Sequence, residues 1–203
     1  EEIDVYKNKR SKEHQINLEK TGYLANRQIN WMLFGNKHPY GQAYEKALYD
    51  AIDQSALKAF VSNQLNHALY VYTGPESFAI ETALSDNHFS INPLAEPQTE
   101  EALPMPQSHE EWIHKTDSTQ NSLRFGKQLP GRTHPDYYAL TLFNLVLGGF
   151  FGSRLMKNIR EDKGLTYGIH SSITPFKTYS IFKISSECNN SLTDVVKTEI
   201  LNE

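Results

Sequence analysis

A chain of 203 residues with 20 Lys and Arg against 24 Asp and Glu carries a formal net charge of −4, so it has no global positive field to recruit nucleic acid or an anionic membrane. Its 38% hydrophobic and 11% aromatic content is that of an ordinary globular protein, long enough for one large domain or two small ones. Cys188 is the single cysteine, which excludes an internal disulfide and leaves the redox compartment open.

No segment reaches the ~20 apolar residues that span a bilayer. The longest apolar zone, residues 137–151, is interrupted by Thr141, Asn144 and glycines, and reads as core. The chain starts at Glu1 with no charged start followed by an apolar run, so nothing resembles a signal peptide. Both ends fall in helical text, and we read the sequence as a piece of a longer, soluble protein, cytoplasmic or periplasmic.

In chain order, residues 1–20 read as a charged helix with a sparse apolar set, Ile3, Tyr6, Ile16 and Leu18. Its basic cluster, Lys7, Lys9, Arg10 and Lys12, lacks the interleaved aromatics of a nucleic-acid surface and reads as a solvated face. Residues 23–34 suit a second helix, ended by Gly35. His38-Pro39-Tyr40-Gly41 is a turn. His38 has no second ligand at zinc-motif spacing, so a hydrogen-bonded structural role is expected for it. Asp53 or Ser55 can cap a helix with Leu57, Phe60, Val61 and Leu65 on one face. A strand is expected at residues 68–73 and a short helix from Pro75 to about Leu84.

Residues 86–117 change character. Pro93, Pro97, Pro104 and Pro106 break helices, and five glutamates keep the stretch wet, so it reads as a linker between two parts, 1–85 and 118–203. Within it His109 and His114 are five apart, whereas helical zinc motifs place two His at i and i+4, so no peptidase site is assigned there.

Residues 118–129 read as a strand. Pro135 announces a helix ending at Gly148-Gly149, with Leu142, Leu145 and Val146 on one face and Phe143 and Leu147 widening it, so most of its circumference is expected to be buried. A second helix follows, with Leu155, Met156 and Ile159 on one stripe and Gly164 as its stop. Tyr167, Ile169, Ser171 and Ile173 alternate, as do Tyr179, Ile181 and Lys183 against Phe182 and Ile184, with the connection at 175–178: a hairpin. Ser191 and Asp194 suggest a capping box for a last helix with Leu192, Val195, Val196 and Ile200.

The segments LxLGGxxxSRL at 145–155, IREDKGLTYG at 159–168 and LFGNKHPYGQ at 33–42 together resemble the pitrilysin/insulinase family of zinc metallopeptidases, which includes the mitochondrial processing peptidases. The resemblance covers nearly the whole chain. It implies an α+β metallohydrolase fold of the mitochondrial processing peptidase type, an antiparallel-rich sheet with helices packed on one face. It also implies that 1–85 ends a first-half domain and 118–203 begins a second-half domain without zinc.

Neither H-x-x-E-H nor H-E-x-x-H occurs in the sequence, so no catalytic residue is assigned to this chain. By resemblance zinc belongs to the parent protein, and the family's third, acidic ligand is expected at or next to His14, with Glu13 its acidic neighbour. An Arg and a Tyr at the spacing of Arg160 and Tyr167 would reach a substrate held on that zinc. Guanidinium and phenol are hydrogen-bond donors suited to a developing oxyanion. The structural alternative is an Arg160 that caps helix carbonyls and a Tyr167 that is an ordinary strand aromatic. Arg154 is expected to be structural, and Cys188 a buried small hydrophobe.

The resemblance thus implies a non-catalytic, substrate-binding portion of a zinc metalloendopeptidase, whose partners are a peptide or unfolded protein and a second family subunit in a homodimer or heterodimer. The alternative is a fragment of a zinc-less family member that serves as scaffold for an active peptidase.

Overall fold

The computed structural model of the chain describes residues 2–43, 45–64, 73–75, 79, 82 and 109–203. The strand expected at 68–73 and the helix expected from Pro75 fall largely outside these residues, as does the linker as far as residue 108. Two compact units are distinguished, Glu1–Ser11 with Glu45–Thr99, and Lys12–Tyr44 with Glu100–Glu203.

Helix α1 is Glu2–Leu18, and none of its residues is buried, as its sparse apolar set requires. In the first unit the Lys7 ammonium donates to the Asp50 carbonyl at 2.9 Å. Asp50 ends a short helix, α3, Lys46–Asp50, that no apolar period announces. Helix α4 spans Gln54–Gln64, and the expected cap is present: Asp53 Oδ1 accepts the Ala56 N–H at 2.8 Å. That bond and one from Ser55 hold the Asp53 carboxyl below its ordinary range. Leu57, Phe60 and Val61 are exposed.

The second unit holds helix α2, Thr21–Phe34, and a three-stranded antiparallel sheet ordered β1-β3-β2. The strands are β1, Gln120–Pro130, β2, Gly168–Pro175, and β3, Tyr179–Asn189. Alternation along β3 divides its side chains. Ile184 and Cys188 join Leu147, Leu155, Ile159, Ile169, Val196 and Ile200 in one apolar core, against which Phe182 packs. Ile181 joins Ile29, Leu33 and Phe34 in another. The class is α+β with an antiparallel sheet, as expected. Helical segments cover the expected face, and α2 additionally covers part of the opposite one, because the central strand carries an inward apolar residue on that side too.

Residues 137–164 depart from expectation in two ways. The first helix is α5, Tyr137–Asn144, continued by a π-helical turn, Leu145–Gly149. Only Leu147 and Gly148 in this stretch are buried, whereas Tyr138, Leu142, Phe143, Leu145 and Val146 are between 47% and 79% exposed. A sheet covers one side of a helix, and the side it covers here is the one with Gly148. A Cβ there would lie 2.6 Å from the Ser171 backbone nitrogen, so glycine permits helix and strand to meet backbone to backbone. The second helix is a π-helical segment, Met156–Asp162. Its wider turn shows in the Lys163 N–H, which donates to the Asn158 carbonyl five residues back at 3.1 Å. Gly164, at φ 63°, ends it as expected.

The last helix, α6, is Thr193–Asn202, preceded by a 3-10 turn, Asn190–Leu192. Its cap differs from the expected Ser191 and Asp194 pair. Asn189 Oδ1 accepts the Ser191 N–H at 3.1 Å, so the strand's last residue starts the turn.

Candidate functional site

Arg160 is placed by its neighbour in sequence. Ile159, like Leu155, has no exposed surface, and the two fix the π-helical segment on the sheet. The start of that segment is also tied to the chain's last residue. Arg154 Nε donates to Glu203 at 2.8 Å and Asn158 Nδ2 at 2.6 Å, which confirms a structural role for Arg154 and holds the Glu203 carboxyl below its ordinary range. The Arg160 side chain, partly buried, lies with its guanidinium carbon 5.4 Å from the centre of the Phe151 ring.

Tyr167 immediately precedes β2, and its backbone N–H donates to the Glu187 carbonyl at 3.2 Å. It continues the row of Ile169 and Ser171, which are 2% and 4% exposed, yet Tyr167 itself is 68% exposed. What fixes its backbone is Thr166, a buried residue that sequence reasoning passed over. A hydroxyl has one proton to give. The shortest contact, 2.6 Å to the Glu187 carbonyl, takes it, and Thr166 Oγ1 then accepts from Ser186 Oγ at 2.8 Å and from the Gly168 N–H at 3.2 Å. The signal was a β-branched hydroxyl between a helix stop and a strand, too weak to read without the register. Among the described residues neither the Arg160 guanidinium nor the Tyr167 hydroxyl has a hydrogen-bond partner, and no hydrogen bond joins the two.

The remaining candidates are structural where the geometry bears on them. His38 Nδ1 accepts the Tyr40 N–H at 3.2 Å, which leaves Nε2–H to donate to the Tyr179 hydroxyl at 3.1 Å. Its ring stacks on Phe34 at 4.7 Å, so it completes an aromatic cluster. Cys188 is fully buried, and burial pushes its thiol above the usual range, away from nucleophile chemistry. Glu110 meets Lys197 and the Trp112 indole, and His109 lies 3.2 Å from Glu111, so these side chains are already paired within the protein.

Glu13 and His14 lie in α1, where consecutive residues point ~100° apart and so do not share one ion. His14 Nδ1 lies 3.2 Å from the Tyr23 hydroxyl. Among the described residues no three His, Cys, Asp or Glu come together as a metal site, so these residues do not by themselves fit a zinc ion. No helix among them is long and apolar enough to cross a membrane.

Residues 52–203 match the family described as the peptidase M16 inactive domain. The chain belongs to that family. An uncharacterized zinc protease of Mycobacterium leprae is 32% identical over 76 residues, 37% of this chain and 17% of the relative. The uncharacterized zinc protease YmxG of Bacillus subtilis is 29% identical over 126 residues, 58% of this chain and 31% of the relative. The crystal structure of a peptidase M16 inactive domain from Pseudomonas fluorescens superposes with a TM-score of 0.80 at 26% identity, over 99% of this chain and 50% of that chain. The chain therefore spans half or less of the length of these relatives. The zinc-metalloprotease resemblance read from the motifs and the α+β class both stand, and the matched region is the domain of the family that is not catalytic.

Proposed function

We propose that this chain is the non-catalytic, substrate-binding portion of a zinc-dependent metalloendopeptidase, with Arg160 and Tyr167 as donors to a peptide or unfolded-protein substrate. The observation that carries the reading is that, inside the matched inactive domain, two strong donors without hydrogen-bond partners among the described residues stand on backbone fixed by the core and by Thr166. Each donor can hold a substrate carbonyl, and strengthens its hold as negative charge develops on that oxygen. Glu13 or His14 would be the nearest contribution of this chain to a zinc bound in the complete enzyme, where the metal would supply an activated water and its other ligands would come from outside the residues described. Residues 86–117 serve as the join between a first-half portion, 1–85, and the second-half portion, 118–203.

In the complete enzyme, Arg160→Ala and Tyr167→Phe are each expected to lower turnover of fluorescein-labelled casein by ~10²–10³-fold, at unchanged zinc content and melting temperature. Unchanged turnover removes the assignment. His14, standing where the family's acidic ligand is expected, favours a second reading: a zinc-less scaffold paired with an active subunit in a heterodimer. A complete protein that holds no zinc and cleaves only with a partner present would select it.

A further inference from the structure

Phe151 stands 66% exposed between the two π-helical stretches and belongs to neither apolar core. Its ring contact among the described residues is the Arg160 guanidinium, 5.4 Å from the ring centre. Two other arginines of the same unit show the alternative way to fix this side chain. Arg154 is held by the Glu203 carboxylate. Arg124 commits Nε to Asn26, Nη1 to backbone carbonyls and Nη2 to Glu187. Arg154 has committed its charge and one donor to a carboxylate, and Arg124 has spent all three of its nitrogens on the protein. A ring holds the guanidinium through its face, and every N–H at the edge remains available. Arg160 is followed by Glu161 and Asp162, and among the described residues pairs with neither.

We propose that Phe151 is a positioning residue, a platform that orients Arg160 toward substrate without consuming its donors. This rests on the reading of Arg160 as a substrate contact and names the feature that makes it effective. The ring removes rotamer freedom from a long side chain before substrate arrives, so less order has to be created on binding.

The contact is tested on the 203-residue chain by nuclear magnetic resonance of the arginine Nε–Hε groups. The Arg160 signal is expected to carry an aromatic ring-current displacement that Phe151→Leu abolishes and Phe151→Tyr preserves. A wild-type signal without that displacement overturns the platform. The consequence is tested in the complete enzyme, where Phe151→Leu should lower kcat/KM for labelled casein about three- to fivefold, Phe151→Tyr should restore it, and Phe151→Leu should have no further effect once Arg160→Ala is present. A loss of equal size in both backgrounds makes Phe151 merely structural and sinks the proposal. A displaced signal together with normal cleavage by Arg160→Ala defeats instead the substrate-site reading on which the platform's purpose depends.

Discussion

On one face of β3, Phe182, Ile184 and Cys188 meet Leu155, Ile159, Val196 and Ile200 in a dry core. On the other, Ile181 is followed by Lys183 and Glu187, which meet Asn30 and the Arg124 guanidinium beneath α2. The dry face carries the backbone of Arg160 and the row that ends in Tyr167. Apolar packing, with Thr166 bonded to the Glu187 carbonyl at the end of the row, fixes that backbone without any side-chain hydrogen bond from the two proposed donors, Arg160 and Tyr167. The polar face works by mutual satisfaction. Arg124, whose side chain is 8% exposed, needs Glu187 and Asn26, and burial beside Arg124 pushes the Lys183 ammonium below its usual range. A site built on the dry face is therefore robust to polar changes on the other.

Substitutions ranked by expected size sharpen that contrast. Ile159→Ala, at a site with no exposed surface, should cost about 2–5 kcal/mol in chemical denaturation and should also disorder Arg160. A cost below about 1 kcal/mol would mean that the dry face does not anchor the π-helical segment. Gly148→Ala places a Cβ 2.6 Å from the Ser171 nitrogen and should cost about 1–3 kcal/mol, because backbone on both sides has to give. Arg124→Ala strips Glu187 and Asn26 of their partner and should cost about 1–2 kcal/mol in the same denaturation measurement. If the two faces are as separable as described, it leaves the Arg160 resonance unmoved.

The smallest effect concerns pH. The Glu203 carboxyl, held low by Arg154, contributes stability that is fully present above the ordinary carboxylate value of 4.5 and is lost as pH falls through its lowered folded value. Arg154→Ala should flatten that acid limb of a melting-temperature profile. The Cys188 thiol acts in the opposite sense: raised above 9.0 by burial, it contributes stability that is lost as the unfolded thiol ionises at higher pH. Cys188→Ala should flatten the alkaline limb.

Much of the dry face was legible in the sequence, because its signals are local. The alternation around Ile169 and Ile184 gave the hairpin, Leu155 and Ile159 gave the buried stripe, and Gly164 gave the stop. The polar face was not legible, since the pairing of Arg124 with Glu187 joins residues 63 apart and depends on a strand register that composition does not set. The exposure of Leu142 and Val146 was missed for a different reason. An apolar period says which side of a helix can be buried, whereas a glycine decided which side met the sheet. At the candidate site, Arg160 and Tyr167 came from the motif, while Thr166 and Phe151 needed distances. Neither residue belongs to a spacing rule.

Direct contact between position 167 and substrate is the central claim, and site-specific photocrosslinking reads it most directly. With benzoylphenylalanine in place of Tyr167 in the complete enzyme stripped of zinc, illumination should attach labelled casein, and the same probe in place of the exposed Tyr6 should not. Attachment from position 6 and none from position 167 would contradict the account.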